Sequence, residues 1–229
     1  MNVQEATTRR LPDLKERHLP ENCRETINTI LKETYGYEQF RNLEIYDDLS
    51  KGKEKLCISQ GQLIENVILE AEKAWKSETQ VDNILLTAPT GSGKSLLFQL
   101  PAIYLGKEYN LLTIVVSPLK ALIVDQVESL QELGYARVAY ASSDLSPEQK
   151  MEVYRQVREG EIDLFYLSPE LLLSYDIKHF VGERRIGLVV VDEAHTVTTW
   201  GKEFRVDYWF LGRYLTALKQ TLGYNLSLI

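Results

Sequence analysis

The stretch from Ile84 to Ser95, ILLTAPTGSGKS, restricts the fold more than any other part of the chain. Ile84, Leu85 and Leu86 form an apolar run that reads as a buried strand. Ala88, Pro89, Thr90, Gly91, Ser92 and Gly93 read as a tight turn, and Lys94 and Ser95 open a new apolar series that reads as a helix. Lacking a Cβ, Gly91 and Gly93 let the backbone turn successive N–H groups toward one point, where the helix N-terminus adds partial positive charge. A nest of this kind holds a triphosphate. Lys94 then reaches the β- and γ-phosphates, and the Ser95 hydroxyl takes one position on Mg²⁺. The spacing is that of a Walker A motif with Ala88 in place of its first glycine. Thr90, Gly91, Ser92, Gly93, Lys94 and Ser95 are therefore the predicted nucleotide-binding residues. The alternative, a glycine-rich turn that binds nothing, does not account for Gly-Lys-Ser standing in register between a strand and a helix.

With 229 residues the chain suits one large α/β domain with an appendage, or two small domains. Its composition, 44% apolar and 26% charged, is that of an ordinary globular protein, and no apolar run is long enough to span a bilayer. The first residues are polar and charged, without the apolar core of a secretory signal, so a cytoplasmic location is expected. Cys23 and Cys57 stand far apart with no partner at metal-ligand spacing, and read as reduced thiols. A net charge of −7 excludes gripping nucleic acid by bulk charge, but not by local contacts.

Ile27, Ile30 and Leu31 lie at helical spacing before Gly36, which reads as a short helical lead-in. The aromatic-rich YGYEQFR follows at 35–41, then a charged segment, 42–58, that reads as a surface loop or insertion. Leu63, Ile64, Val67, Ile68, Ala71 and Trp75 form the core-facing stripe of the next helix. Beyond the Walker A helix, strands at 110–117, 136–142, 162–168 and 185–192 alternate with helices at 118–134 and 146–160 and a short one after Pro169. Continuous Val, Ile and Leu runs separated by helices indicate a parallel sheet covered on both faces. Ligands of such sheets bind at the carboxyl ends of the strands.

One of those ends carries VVVDEAH, residues 189–195. Asp192 is placed to hold Mg²⁺ and Glu193 to orient and deprotonate the water that attacks the γ-phosphate. His195 reads equally as a satisfied loop histidine. Of the apolar residues near the C-terminus, Trp209, Phe210, Leu211, Tyr214, Leu215 and Leu218 read as core.

TAPTGSGKS together with Asp-Glu-Ala-His resembles the superfamily-two helicases, in particular their RecQ-like branch. SPLKALIVDQV (117–127) resembles that branch's motif Ia, YLSPE (166–170) its motif Ib, and EAHTVTTWGKEFRVDY (193–208) its aromatic-rich loop. YGYEQFR followed by GQ resembles its motif 0. The resemblance covers roughly residues 30–229. It implies a RecA-like P-loop α/β fold, ATP and Mg²⁺ as cofactors, and Lys94, Asp192, Glu193 and His195 in catalysis. It further implies an adenine pocket of Tyr37, Arg41 and Gln62, and contacts to single-stranded or forked DNA through Ser117, Lys120, Ser168, Trp200, Phe204 and Arg205, with Tyr208 in the same block. Ser117 and Ser168, each followed by proline, also read as plain helix caps.

Two departures stand out. The family has Arg41 and Gln62 nearly adjacent, whereas here 42–58 separates them, and Lys202 stands where the family commonly has His. Residues 1–78 read as the helical lead-in with its motif 0-like segment and insertion, and 79–229 as the first RecA-like domain. That domain stops before motif III, so a second RecA-like domain with its arginine finger is expected elsewhere. The activity implied is DNA-dependent ATP hydrolysis driving unwinding or translocation. The alternatives are a nucleotide-switched scaffold, or a double-stranded DNA translocase or RNA helicase on the same fold.

Overall fold

The computed structural model describes residues 17–46, 55–77, 81–86, 91–194 and 206–229. It begins with α1 (Glu21–Tyr35), a hairpin of β1 (Asn42–Tyr46) and β2 (Lys55–Ser59), and α2 (Gln60–Trp75). After the Walker A segment come α3 (Leu96–Tyr109), β3 (Leu112–Val116), α4 (Lys120–Glu132), β4 (Val138–Ala141), α5 (Pro147–Arg158) and β5 (Leu164–Leu167). Then follow the short helices α6 (Pro169–Ser174) and α7 (Ile177–Val181), β6 (Ile186–Val191), α8 (Val206–Leu222) and β7 (Ser227–Leu228). The main sheet has the order β4-β5-β3-β6-β7 and is parallel at every pairing.

Strand residues alternate between two apolar layers, as the period of two requires. Val115, Leu164, Tyr166, Leu188 and Val190 face α1 to α4, where they meet Ile27, Ile64, Leu97, Leu100, Ile123 and Val127. Ile114, Phe165, Leu167, Ile186 and Val189 face the other way, onto Tyr154, Val157, Phe180, Leu211 and Leu215. Both faces are covered, which is why these strands read as unbroken apolar runs. α3 lies deepest, buried at every residue from Leu96 to Gly106. Each fully buried Leu or Ile contributes about 1.5–3 kcal/mol.

Local signals set the boundaries. α5 opens with a capping box in which Ser146 and Gln149 bond reciprocally, with Pro147 at its first turn. α1 stops at Gly36, whose φ of +69° is open to glycine at little cost.

Three expectations are corrected. Residues 42–58 are not a loop throughout, because 42–46 and 55–59 pair antiparallel from Asn42↔Ser59 to Tyr46↔Lys55. The run 84–86 is not a buried strand of the sheet, since it joins the sheet through a bond from Ile84 N to Leu228 O (2.8 Å) and leaves Leu85 80% exposed. Phe210 and Trp75 turn outward, at 47% and 36% exposure, at the margins of their helices' apolar stripes.

At the amino end of the sheet, opposite the chemistry, Asp163 is a buried junction. Its carboxylate accepts from Arg137 (Nε 2.6 Å, Nη2 2.8 Å), Arg184 Nη2 (3.1 Å) and Tyr135 OH (2.8 Å). Gly106 of α3 is required beside it, because a Cβ there would lie 2.3 Å from Asp163 Cγ.

Candidate active site

The site lies at the carboxyl end of the sheet, where β7 separates the strand carrying Asp192 from the segment that leads into the P-loop. Ile84 N donates to Leu228 O on one side of β7. On the other, Ile229 N donates to Val189 O (3.0 Å) and Val191 N to Ile229 O (2.8 Å). Two segments far apart in sequence thereby end side by side.

In the P-loop, Gly91 and Gly93 take φ of +80° and +78°, a region that a side chain disfavours. Lys94 and Ser95 then turn into α3, with Leu96 N donating to Gly93 O (3.2 Å) and Leu97 N to Lys94 O (3.0 Å). Ser95 occupies the cap position, yet its side chain makes no capping bond. The helix N-terminus, two left-handed glycines and a lysine at the first turn together form an anion cradle.

Asp192 extends from β6, its N–H bonded to Val116 O (2.9 Å). Its Oδ1 accepts from Glu193 N (2.9 Å) and its Oδ2 from Gln126 Nε2 (3.4 Å). Burial pushes the Asp192 carboxyl above its ordinary range, and the charge of Glu193 adds to this. Glu193 N–H, Gln126 and the positive charge of Lys94 pull the other way. A desolvated carboxylate with a second acid next to it gains from a cation, so the donor set fits Mg²⁺. Glu193 is held at φ +52°, left-handed for a residue with a side chain, the kind of strain that accompanies functional turns.

A residue that the sequence did not mark links the Tyr37–Arg41 segment to the P-loop. Gln60, 2% exposed, donates from Nε2 to Ser92 O (3.2 Å) and accepts at Oε1 from Arg41 N (3.2 Å), while its own N–H donates to Arg41 O (2.9 Å). Gly93 is glycine partly for this reason, since a Cβ there would lie 2.7 Å from Gln60 Nε2. Gln62, the glutamine singled out in the sequence, points elsewhere and donates to Arg17 O (2.8 Å). The legible signal was the alternation of NLEIY and KLCIS, because pairing them as a hairpin puts residue 60, not 62, opposite Arg41. Tyr37 and Arg41 do come together, with the guanidinium 5.8 Å from the centre of the ring. Tyr37 stacks on Tyr35 with centroids 6.4 Å apart and is 47% exposed.

Among the expected DNA-contacting residues, Lys120 is exposed and bonds Ser143 Oγ and Asp144 Oδ1 (2.9 Å) in the loop after β4. Ser168 caps α6, its Oγ accepting from Leu171 N (3.3 Å). Ser117 is 1% exposed, its N–H bonded to Leu167 O (3.1 Å) and its Oγ without a hydrogen-bond partner among the described residues. Thr90, His195, Trp200, Phe204 and Arg205, and the side chain of Tyr208, lie outside the described residues.

The family model described as DEAD/DEAH box helicase matches residues 69–223, which takes in the P-loop, Asp192 and Glu193. The chain belongs to the DEAD/DEAH box helicase family. Within that family it is RecQ-like. It is 34% identical over 202 residues to the ATP-dependent DNA helicase RecQ of Synechocystis sp., a match covering 87% of this chain and 35% of that protein. It is 30% identical over 187 residues to RecQ of Haemophilus influenzae, covering 82% of this chain and 25% of that protein. The helicase chain thus spans a quarter to about a third of the length of these relatives.

Solved helicase structures share its fold. The DUF1998 helicase MrfA, in a crystal structure bound to DNA and AMPPNP, superposes with a TM-score of 0.58 at 20% identity, covering 93% of this chain and 26% of that one. The UvsW helicase of bacteriophage T4 gives a TM-score of 0.51 at 15% identity, covering 95% and 62%.

Proposed function

We propose that this helicase chain is the first RecA-like motor domain of a RecQ-like enzyme that hydrolyses ATP with Mg²⁺ to unwind or move along DNA. The observation that carries the proposal is the placement of the approach to the P-loop and of the strand that ends at Asp192 on either side of β7. In this reading the N–H groups around Gly91 and Gly93 hold the phosphates, and Lys94 counters their charge. Ser95 Oγ and Asp192 would hold Mg²⁺, which when bound neutralises charge on the phosphate oxygens. Glu193 then accepts the proton of the attacking water. Tyr37, Arg41 and Gln60 take the adenine, with Gln60 tying base recognition to the loop that holds the phosphates.

The DNA face runs along the ends of β3, β4 and β5, where Lys120 stands exposed. Residues 79–229 form the ATP-binding domain, with 1–78 contributing the base side, and a second RecA-like domain completes the catalytic site. Measuring ATP hydrolysis and strand displacement by the whole protein, with single-stranded, forked and duplex DNA and with RNA, tests this. Stimulation by single-stranded or forked DNA is expected. Binding of ATP without hydrolysis under every condition would instead identify a nucleotide-switched scaffold.

A further inference from the structure

A chain of buried polar side chains crosses the core to reach Asp192. Tyr35 OH donates to Gln99 Oε1 (3.3 Å), Gln99 Nε2 donates to Tyr166 OH (3.1 Å), Tyr166 OH donates to Gln126 Oε1 (3.0 Å), and Gln126 Nε2 donates to Asp192 Oδ2 (3.4 Å). Tyr166 is fully buried, and Gln99 and Gln126 are 6% and 8% exposed.

The direction of the chain is fixed by chemistry. A carboxylate only accepts, so Gln126 must present its nitrogen to Asp192 and its oxygen to Tyr166. Tyr166 has one hydroxyl proton, which goes to Gln126, and its lone pair takes the amide of Gln99. Gln99 is left with its oxygen toward Tyr35. Every donor points toward Asp192. Burial pushes both phenols well above their ordinary range, which keeps their protons in place.

The five residues come from five elements that each also carry part of the site. Tyr35 ends α1, two residues before Tyr37. Gln99 lies on α3 behind the P-loop, Tyr166 on β5 two residues before Ser168, and Gln126 on α4, which Lys120 begins. A core needing only to be filled would be satisfied by apolar residues here, and buried polar groups are stabilising only when fully bonded. The bond to Asp192 is the longest of the four, so it orients the carboxylate without competing strongly for its lone pairs.

We propose that Gln126, held by Tyr166 and Gln99, is a positioning residue that sets the orientation in which Asp192 receives the nucleotide's divalent cation. This rests on the reading of the site given above.

The test is nucleotide affinity of the 229-residue chain, measured with ADP in excess EDTA and in Mg²⁺, for wild type, Gln126→Met and Tyr166→Phe. Both substitutions keep volume and remove the bonds, and thermal melting is followed alongside. Outer-shell partners of metal ligands typically change metal affinity by 10–100-fold. In Gln126→Met the gain in affinity on adding Mg²⁺ should fall by about tenfold, with affinity in EDTA preserved. Tyr166→Phe should show a smaller loss in the same direction, and the double variant no more than Gln126→Met alone, because the two act in series. An unchanged Mg²⁺ gain in both variants, whether or not melting temperature falls, would overturn the proposal and leave the chain as packing. A wild type that binds ADP without any Mg²⁺ gain would also overturn it. A wild type that binds no nucleotide in either condition would instead remove the reading on which it rests.

Discussion

The side-chain amide of Gln60 donates to the carbonyl oxygen of Ser92 across 3.2 Å, joining the first residue of α2 to the middle of the P-loop. The same side chain accepts from Arg41 N, so one glutamine ties the segment carrying Tyr37 and Arg41 to the P-loop.

Gln60→Ala should therefore reduce discrimination between ATP and GTP and weaken both, because it removes the bond to Ser92 O and the one that fixes the Arg41 backbone. Gln62→Ala should leave discrimination unchanged, since that side chain reaches Arg17 O. Tyr37→Ala should lower discrimination with a smaller effect on the phosphates. Competition titrations with the two nucleotides on the three variants check this; a loss of selectivity in Gln62→Ala but not Gln60→Ala would reverse the assignment.

Glu70 predicts a pH dependence of stability. It is 1% exposed and accepts from Arg17 Nη2 (2.7 Å), Lys73 Nζ (3.0 Å) and Asp82 N (3.0 Å), tying the N-terminal segment and α2 to the approach to the P-loop. Burial alone would raise its pKa, but these three bonds outweigh it and hold the carboxyl below its ordinary value. A depressed folded pKa gives stabilisation that is complete above the unfolded value of about 4.3 and is lost as pH falls through the lower folded value. Glu70→Gln should be less stable than wild type by about 1–3 kcal/mol at pH 7, and the difference should shrink below pH 4. Urea unfolding at pH 7 and pH 3.5 measures it.

Asp163 should be the most sensitive position at the far end of the sheet. Asp163→Ala leaves the buried Arg184 guanidinium without its carboxylate, and breaking such a pair costs about 3–5 kcal/mol. At roughly 2–4 °C per kcal/mol for a domain of this size, melting should fall on the order of 10 °C. Gly106→Ala should also destabilise, although alanine favours helix over glycine by about 1 kcal/mol, because Asp163 is pinned by two arginines and has nowhere to retreat. A stabilised Gly106→Ala would show that the contact relaxes.

Much of this architecture was written in the sequence in a form that physics can decode. Strands β3, β5 and β6 are buried on both faces and so appear as runs such as LTIVV and IGLVVV. The Walker A turn and Asp192-Glu193 are legible because phosphate and cation chemistry admits few residue types at those positions. Leu85 and Phe210 misled because an exposed apolar side chain looks the same in sequence as a buried one. Gln60 was missed because its importance depends on a hairpin register that closes 42–59 and brings it to Arg41. The polar chain from Tyr35 to Asp192 was illegible for the same reason. Each member is an isolated polar residue in an apolar or helical stretch, and only the packing of five elements puts them in line.

Lys94 and Asp192 are proposed to serve one Mg²⁺–nucleotide site. Titration calorimetry of ATP with Mg²⁺ into the 229-residue chain and into Lys94→Ala, with a melting curve for each, tests it most directly. Wild type should bind saturably, and Lys94→Ala at least about tenfold more weakly at unchanged melting temperature, as expected for losing a charged hydrogen-bonding group of roughly 1.5–3 kcal/mol. Equal affinity in the two proteins, or no binding by either, would contradict it.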